Sequence, residues 1–340
     1  MDERGVMPTE APLAGRPGRI GLVVAVCGVL FVAANVFWAW YLGRQPTNLT
    51  EHRVRYMWQQ VYEMDAAPNW LIVGDSSARH GIDLEAWRAA TGETVVQAGT
   101  VADWLLVDNA WMLEEAISQG HAPEKVLMMS VYDQLHRELA VPVMAQAPFD
   151  VSVQNPYGLR VPLTVGERWE LALLRYVPLY TRHESVQEAV PELLTNLGPA
   201  LASAEIERPS LYAERRANPR FVAWDLQQHQ RFVRANTFKV NPLNERAMAR
   251  IIALVEAHDI QLYVAASPVY EELAADEAYQ AYFADVEAWW RAVDTSSDHV
   301  HYLAGQQRFS AAQMTNADHT TAAGAQVFTQ ALVGQLAASG

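Results

Sequence analysis

A short apolar run at residues 70–73 (Trp-Leu-Ile-Val) ends abruptly at Gly74, and Asp-Ser-Ser follows at 75–77. The length and β-branched content of the run predict a buried β-strand, and the glycine predicts a sharp turn at its carboxyl end. Ligands of open parallel sheets bind at that edge. If residues 84–90 form the next helix, Ser76 lies near N–H groups that favour negative charge. Ser76 is therefore a candidate nucleophile, and the alternative is that the motif forms only a tight turn.

Strand-like and helix-like segments alternate over most of the chain, which predicts an α/β fold with a mostly parallel sheet covered by helices on both faces. The predicted strands are residues 70–73, 94–97, 126–131, 260–266 and 299–303, and the predicted helices include 104–119, 245–258 and 322–337. Residues 140–240 interrupt the alternation and predict a largely helical insertion beside the carboxyl edge of the sheet. Within it, Tyr212, Arg215, Arg220 and Trp224 either shape an acceptor groove or only pack against the core.

Residues 20–42 are almost entirely apolar and are long enough to cross a bilayer as a helix. Trp38, Trp40 and Tyr41 lie at the far end, where an interfacial aromatic belt is expected. A cleaved signal peptide is the alternative, but its apolar region is usually shorter and is followed by a small-residue cleavage site. We expect a single-pass anchor in the inner membrane of a bacterium, with the body in the periplasm or outside the cell.

The predicted organisation is a disordered tail at 1–19, an anchor at 20–42, a linker with helical character at 43–67, and one domain at 68–335 that contains the insertion at 140–240. Apolar residues make up 51% and charged residues 19% of the 340 residues, which indicates a packed globular body. The formal net charge of −14, without a long basic run, argues against a nucleic-acid-binding protein.

Cysteine and histidine usage gives no sign of a structural metal. The single cysteine, Cys27, excludes an intrachain disulfide and lies inside the apolar segment. Neither CxxC nor HExxH occurs, and the histidines are scattered along the chain. We expect no metal and no cofactor.

A second motif lies near the C-terminus, where Asp318 and His319 precede a predicted helix that begins with Ala-Ala-Gly-Ala. A serine nucleophile needs a base within hydrogen-bond reach and a group that orients that base. Together, the Gly-Asp-Ser-Ser turn, the Asp-His pair and the trailing Gly-Ala-x-x-Phe-Thr resemble the SGNH (GDSL-type) hydrolase superfamily. The resemblance covers residues 68–137 and 240–335. It is strongest to a membrane-anchored branch related to polysaccharide O-acetylation and teichoic acid D-alanylation proteins, which residues 244–268 also resemble.

The resemblance implies a flavodoxin-like, three-layer α/β/α fold and a set of site residues. Ser76 would be the nucleophile and its own N–H an oxyanion donor, while Gly99 matches the glycine whose N–H completes the oxyanion hole. His319 would act first as general base and then as general acid.

Two positions depart from the superfamily pattern. The segment after the third predicted strand, residues 130–133, has no asparagine to serve as a further oxyanion donor. The position three residues before the histidine, normally an aspartate, is Asn316. We therefore assign Asp318 to orient the imidazole, with Asn316 as the alternative.

Three further polar residues have predicted positions. Asp75 is expected to form hydrogen bonds within its turn, and Asp133 to line the pocket. His80 is expected to point away from the nucleophile.

These observations predict a membrane-anchored serine acyltransferase or esterase that acts on O-acyl groups, chiefly acetyl, of a cell-envelope or secreted polysaccharide. Its partners would be that glycan, the membrane and a membrane-bound acyl-donor protein. The alternative is a non-catalytic anchored scaffold or polysaccharide-binding subunit. A nucleotide-binding α/β protein is disfavoured because no glycine-rich phosphate loop follows a predicted strand.

Overall fold

The computed structural model describes residues 17–44, 49–151, 155–195, 217 and 219–339. Most of the predicted tail lies outside these residues, although the first helix already begins at Pro17. Tyr212 and Arg215, two of the four residues proposed to shape a groove, also lie outside the described residues.

The centre of the molecule is a five-stranded parallel sheet with the order β2-β1-β3-β4-β6. The strands are β1 (Trp70–Gly74), β2 (Val95–Gln97), β3 (Lys125–Ser130), β4 (Gln261–Ala266), β5 (Val269–Tyr270), β6 (Val300–Leu303) and β7 (Arg308–Phe309). β5 and β7 form a separate two-stranded ribbon. All five residues of β1 are buried, which explains why its sequence is continuously apolar rather than alternating. The predicted parallel α/β sheet is confirmed.

Most helices surround the sheet, and a second group packs around the C-terminal end of the first helix. They are α1 (Pro17–Arg44), α2 (Leu49–Tyr62), α3 (Ser76–Gly81), α4 (Leu84–Thr91), α5 (Val107–Ser118), α6 (Val141–Met144), α7 (Val165–Tyr176), α8 (Pro178–Thr181), α9 (His183–Thr195), α10 (Pro219–Ala235), α11 (Pro242–Ala257), α12 (Glu271–Ala274), α13 (Glu277–Asp294) and α14 (Ala322–Ser339). Two packed groups border the sheet: α2 and α11 pack against α5, whereas α3 and α4 pack against α14.

Two segments between α1 and β2 are helical: the linker, in line with its predicted helical character, and the turn after β1, for which no helix was predicted. The predicted linker forms α2, which buries Val54, Trp58 and Val61 in the main core. The turn after β1 opens directly into the short helix α3, whereas the sequence predicted the next helix at residues 84–90. Ser76 is thus the first residue of its own helix.

The insertion contains the helices α6 to α10, joined by loops, and no strand among its described residues. α7, α8 and α9 pack against α1, whereas α10 packs against α12 and α13. The insertion therefore contacts both the apolar N-terminal helix and the body.

One helix in the described part of the chain is long and apolar enough to cross a membrane, over Ile20–Leu42 with a mean hydropathy of 2.6.

Candidate active site

The turn after β1 depends on Gly74. Its φ of 139° lies in a region that residues with a side chain rarely adopt, and a Cβ at this position would lie 1.9 Å from the carbonyl oxygen of Met129. The chain can therefore turn tightly against β3, and Ser76 emerges at the carboxyl edge of the sheet as the first residue of α3.

Asp75 ties this turn together. One carboxylate oxygen accepts hydrogen bonds from the Ser77 N–H at 2.7 Å and the Ser77 hydroxyl at 2.6 Å, and the other accepts the Val131 N–H at 2.7 Å. The side chain is fully buried, and burial raises its pKa against the effect of these hydrogen bonds. Asp75 caps α3 and joins it to the end of β3, which is the turn role expected from the sequence.

His319 reaches the serine from the other end of the chain. Its Nε2 atom lies 2.8 Å from the Ser76 hydroxyl oxygen. The loop that carries it closes through a hydrogen bond from the Thr315 N–H to the His319 carbonyl at 2.8 Å, and the Thr320 hydroxyl donates to the His80 carbonyl on α3 at 2.7 Å. The imidazole is thus held where a general base would accept the hydroxyl proton.

Asp318, and not Asn316, lies at the far nitrogen of this imidazole. An Asp318 carboxylate oxygen is 3.1 Å from His319 Nδ1. The Asn316 amide oxygen instead accepts the backbone N–H groups of His319, at 2.7 Å, and of Asp318, at 3.2 Å. Asn316 therefore shapes the loop, and the residue next to the histidine presents the charge.

A second histidine, not singled out from the sequence, lies behind Asp318. His229 Nε2 is 3.3 Å from an Asp225 carboxylate oxygen, and His229 Nδ1 is 2.8 Å from the Tyr132 hydroxyl. The same Asp225 oxygen accepts the Ala317 N–H at 2.9 Å. Helix α10 therefore supports the loop that carries His319. The only sequence signal is the i, i+4 spacing of Asp225 and His229, which places both on one face of a helix.

The charges of this cluster influence one another. Burial alone would raise the pKa of Asp318, but the neighbouring His319, His229 and Arg137 bring it below its ordinary value. Burial lowers the pKa of His229, yet the hydrogen bond to Asp225 and the charge of Asp318 raise it above 6.5. The network favours an ionised Asp318 beside the base.

The Asp225, His229 and Asp318 donor atoms lie within 4.8 Å of one another and could hold a cation. A cation bound there would compete with His319 for the Asp318 carboxylate. The cluster thus offers three side chains that could ligate a metal ion, although the sequence predicted no metal site.

Gly99 lies flush against the start of α3. A Cβ at Gly99 would lie 2.9 Å from the Asp75 carbonyl oxygen and 3.1 Å from both the Ala78 Cβ and the Arg79 nitrogen. The Arg79 guanidinium donates to the Thr100 carbonyl at 3.1 Å and so holds the same loop from the other side. A glycine is required here by this close approach, which brings the loop after β2 beside the nucleophile turn.

Asp133 does not take the pocket position expected for it. Its carboxylate is 2.9 Å from the guanidinium of Arg137, which is also 2.7 Å from Asp103. Asp133 is not among the described residues that line the cleft at Ser76. The ion pair draws this side chain into the body, so the expectation of a pocket-lining residue was wrong.

A cleft of about 510 Å³ opens above the Ser76 hydroxyl. It is lined by Arg53, Ser76, Arg79, His80, Val101, Ala217, Phe221, Thr315, Asn316 and His319. The His80 ring lies 4.6 Å from the His319 ring, between centroids, so the expectation that His80 points elsewhere was wrong. The reason is that α3 begins at Ser76 and places His80 one helical turn later on the same side.

The insertion contributes to the cleft through residues other than those expected. Phe221 and Ala217 line it, and Trp224, 55% exposed, stacks on Phe221 with ring centroids 5.5 Å apart. Arg220 is exposed and is not among the described lining residues. Of this aromatic pair, only Phe221 is among the described residues that line the cleft.

Comparison with known proteins gives no family assignment. No family model matches the chain, and no curated protein matches it. A solved structure described as "a putative platelet activating factor from Streptococcus pneumonia" matches with a TM-score of 0.38 and 14% identity, covering 89% of this chain and 98% of that one. Similarity at this level does not establish a family or an activity.

Proposed function

We propose that the protein is a membrane-anchored serine O-acyltransferase or esterase that acts on O-acyl groups, chiefly acetyl, of a cell-envelope or secreted polysaccharide. The observation that carries the proposal is the hydrogen bond between Ser76 and His319, two side chains from opposite ends of the domain, with the Asp318 carboxylate close to the far nitrogen of the imidazole. Ser76 Oγ lies 2.8 Å from His319 Nε2, and Asp318 lies 3.1 Å from His319 Nδ1. Nucleophile, base and orienting acid follow the arrangement that activates a serine for acyl transfer.

The first half-reaction would begin with attack of Ser76 Oγ on the ester carbonyl carbon while His319 Nε2 takes the hydroxyl proton. The backbone N–H groups of Ser76 and Gly99 would stabilise the oxyanion, and such donors contribute about 10²–10³-fold in rate each. When the ester C–O bond breaks, His319 would return the proton to the leaving alcohol and leave an acyl-serine. A sugar hydroxyl would then take the acyl group in a transferase, and water would take it in an esterase.

The position of the cleft supports an acyl donor or acceptor at the envelope. Arg53, which lines the cleft, is nine residues beyond Arg44, the last residue of α1. A fully extended chain of that length spans at most about 30 Å, and part of it is helical. An anchor at residues 20–42 would therefore keep the cleft close to the membrane surface. The glycan itself is inferred from the resemblance of the two end motifs.

A serine-directed probe tests the chemistry. We expect a fluorophosphonate to label the full-length protein in detergent at neutral pH, and Ser76→Ala to abolish both labelling and hydrolysis of p-nitrophenyl acetate. Ser77→Ala is the matched control, because it removes the neighbouring hydroxyl, which donates a hydrogen bond to Asp75 in the turn. Labelling that persists in Ser76→Ala would contradict the assignment of the nucleophile.

The same experiment addresses a non-catalytic scaffold. That alternative is supported by the segment after β3, where Asp133 is paired with Arg137 and no asparagine supplies a further oxyanion donor. Folded wild-type protein whose Ser76 fails to label would favour the scaffold.

An acceptor separates the two enzymatic forms. With p-nitrophenyl acetate as donor, a transferase should acetylate an added envelope oligosaccharide, detected by mass spectrometry, at the expense of free acetate. Hydrolysis that the acceptor does not divert would favour the esterase.

A further inference from the structure

The apolar helix α1 does not stand clear of the body along its whole apolar length. Residues 20–33 are exposed, whereas Asn35, Tyr41 and Leu42 are buried. The exposed part is about 21 Å long at 1.5 Å per residue, while the hydrocarbon core of a bilayer is about 30 Å thick. If α1 is an anchor, roughly the last 9 Å of hydrocarbon lies at the level where the insertion covers the helix.

Two contacts fix which part of the insertion lies at that level. The Leu179 N–H donates to the Asn35 side-chain oxygen at 3.2 Å, so α8 begins beside the second half of the apolar segment. Tyr41 and Leu42 pack with Val186 and Ala189 of α9. An asparagine inside an apolar span is thus paired by the insertion, and α8 and α9 surround the end of α1.

The outer surface of this layer is apolar. In α7 the exposed residues Val165, Trp169, Leu173 and Tyr176 follow helical spacing along one side, while Leu171 of the same helix is buried. Trp169 is 67% exposed. A helix whose apolar stripe faces away from the core has the pattern of one that lies in a membrane interface.

The next two helices, which pack in turn on α7 and α8, also carry exposed apolar side chains. Tyr180 is 72% exposed and Leu194 is 68% exposed. Tyr180 follows the residue that bonds to Asn35, so its depth is set by α1. We call this surface, formed by Val165, Trp169, Leu173, Tyr176, Tyr180 and Leu194, the α7–α9 face.

Basic side chains lie where lipid headgroups would be. A cavity of about 560 Å³ is lined by Ala39 of α1 and Tyr176 of α7, together with Arg55, Arg175 and Arg182. Glu184 is its one acidic lining residue among those described. Tyrosine, tryptophan and arginine beside an apolar stripe are the residues that favour the interfacial region of a bilayer, and arginines there attract anionic headgroups.

We propose that the α7–α9 face is embedded in the outer part of the lipid bilayer beside α1, so that the protein is held by a spanning helix and by an interfacial helical layer. The inference rests on the anchor that is part of the proposed function. It does not depend on the chemistry at Ser76. Continuity with the exposed part of α1 selects lipid over a protein partner as the occupant.

Site-directed spin labelling of the full chain in nanodiscs with anionic phospholipid tests the proposal. In a Cys27→Ser background, single cysteines replace Trp169, Tyr180, Val26 and Val327. The Val26 label reads the anchor, and Val327 of α14, an apolar residue 46% exposed, is the matched control away from α1. We expect the labels at 169 and 180 to be accessible to oxygen and shielded from a water-soluble nickel complex at least several-fold more than the label at 327.

The outcomes are distinguishable. A shielded label at 26 with labels at 169 and 180 as aqueous as that at 327 would overturn the interfacial layer and leave the anchor intact. An aqueous label at 26 would overturn both. Labels at 169 and 180 that are shielded only in native membranes, and not in nanodiscs, would show a protein occupant and also contradict the proposal.

Discussion

The carboxylate beside the His319 imidazole belongs to Asp318, the preceding residue in the chain. Asp318 can reach His319 Nδ1 because the Asn316 side chain turns the backbone of both residues, accepting the two N–H groups. An asparagine does this as well as an aspartate, since only one acceptor oxygen is used. Asn316 therefore needs no charge for its contacts, and Asp318 supplies the carboxylate beside the imidazole.

This division of roles predicts unequal effects of two substitutions. Asp318→Asn should lower kcat for ester cleavage by about 10³–10⁴-fold, because an amide does not stabilise the imidazolium that forms. Adding Asn316→Asp to that variant should not restore the rate, since the new carboxylate would bind the same backbone N–H groups. Steady-state hydrolysis by the single and double variants, with equal thermal stability as the control, checks this. Recovery in the double variant would show that position 316 faces the imidazole.

His229 predicts a pH-dependent contribution to stability. Because its pKa is raised above 6.5 in the folded protein, its protonated form stabilises the fold fully below about pH 6.5, and this contribution is lost as the pH rises through the folded value. The difference in Tm between wild type and His229→Gln should therefore be largest near pH 6 and shrink towards pH 8.5.

Differential scanning fluorimetry at several pH values, with His301→Gln as a histidine control outside the cluster, measures the His229 contribution. A Tm difference that grows with pH would contradict the raised pKa of His229 in the folded protein. Repeating the series with EDTA and with added Zn²⁺ shows whether the Asp225, His229 and Asp318 donors bind a cation, which would appear as a metal-dependent rise in Tm that His229→Gln loses.

At the scale of the elements, the proposed oxyanion hole needs the loop after β2 to lie directly on α3. Only then can the N–H groups of Ser76 and Gly99 face the same oxygen. Gly99→Ala should lower kcat by about 10²-fold, because the added Cβ meets the Asp75 carbonyl and must push the loop away. Gly166→Ala in α7 is the matched control, since its nearest neighbour would be 3.9 Å away. Both variants should still label with a fluorophosphonate, Gly99→Ala more slowly. An unchanged kcat in Gly99→Ala would remove Gly99 from the oxyanion site.

The strands were predictable from sequence, because a strand that is buried on both faces of the sheet is a continuous apolar run. All five strands of the main sheet fall within one or two residues of their predicted positions. α3 was not predictable in this way, because Ser-Ala-Arg-His has no apolar periodicity and its helix depends on the Asp75 cap and on packing against α14. The direction of His80 was misjudged for the same reason.

The pairing of Ser76 with His319 followed from the two end motifs, since parallel strands bring their carboxyl ends to one edge. The His229 and Asp225 support was missed because it comes from the insertion, whose sequence gives helices but not their docking. Asp133 was misassigned because the sequence does not reveal that its carboxylate forms an ion pair with Arg137, four residues later.

At the scale of the whole molecule, the apolar helix α1 and the body are joined by packing as well as by the chain. α1 contacts three helices of the insertion, and Asn35 bonds to one of them. The insertion also supplies Phe221 to the cleft and His229 to the site. The insertion at residues 140–240 thus connects the apolar helix to the candidate catalytic residues.

Retention of the anchor has a direct chemical readout, because Cys27 is the only cysteine and lies within the apolar segment. A retained anchor leaves one thiol per chain, whereas a cleaved signal peptide would leave none. Protein isolated from whole cells and denatured should therefore shift by one unit when treated with a polyethylene glycol maleimide, and Cys27→Ser should not shift. An unshifted wild-type chain, shorter by about the length of the apolar segment and its tail, would show cleavage. That result would also remove the anchor from the proposed function.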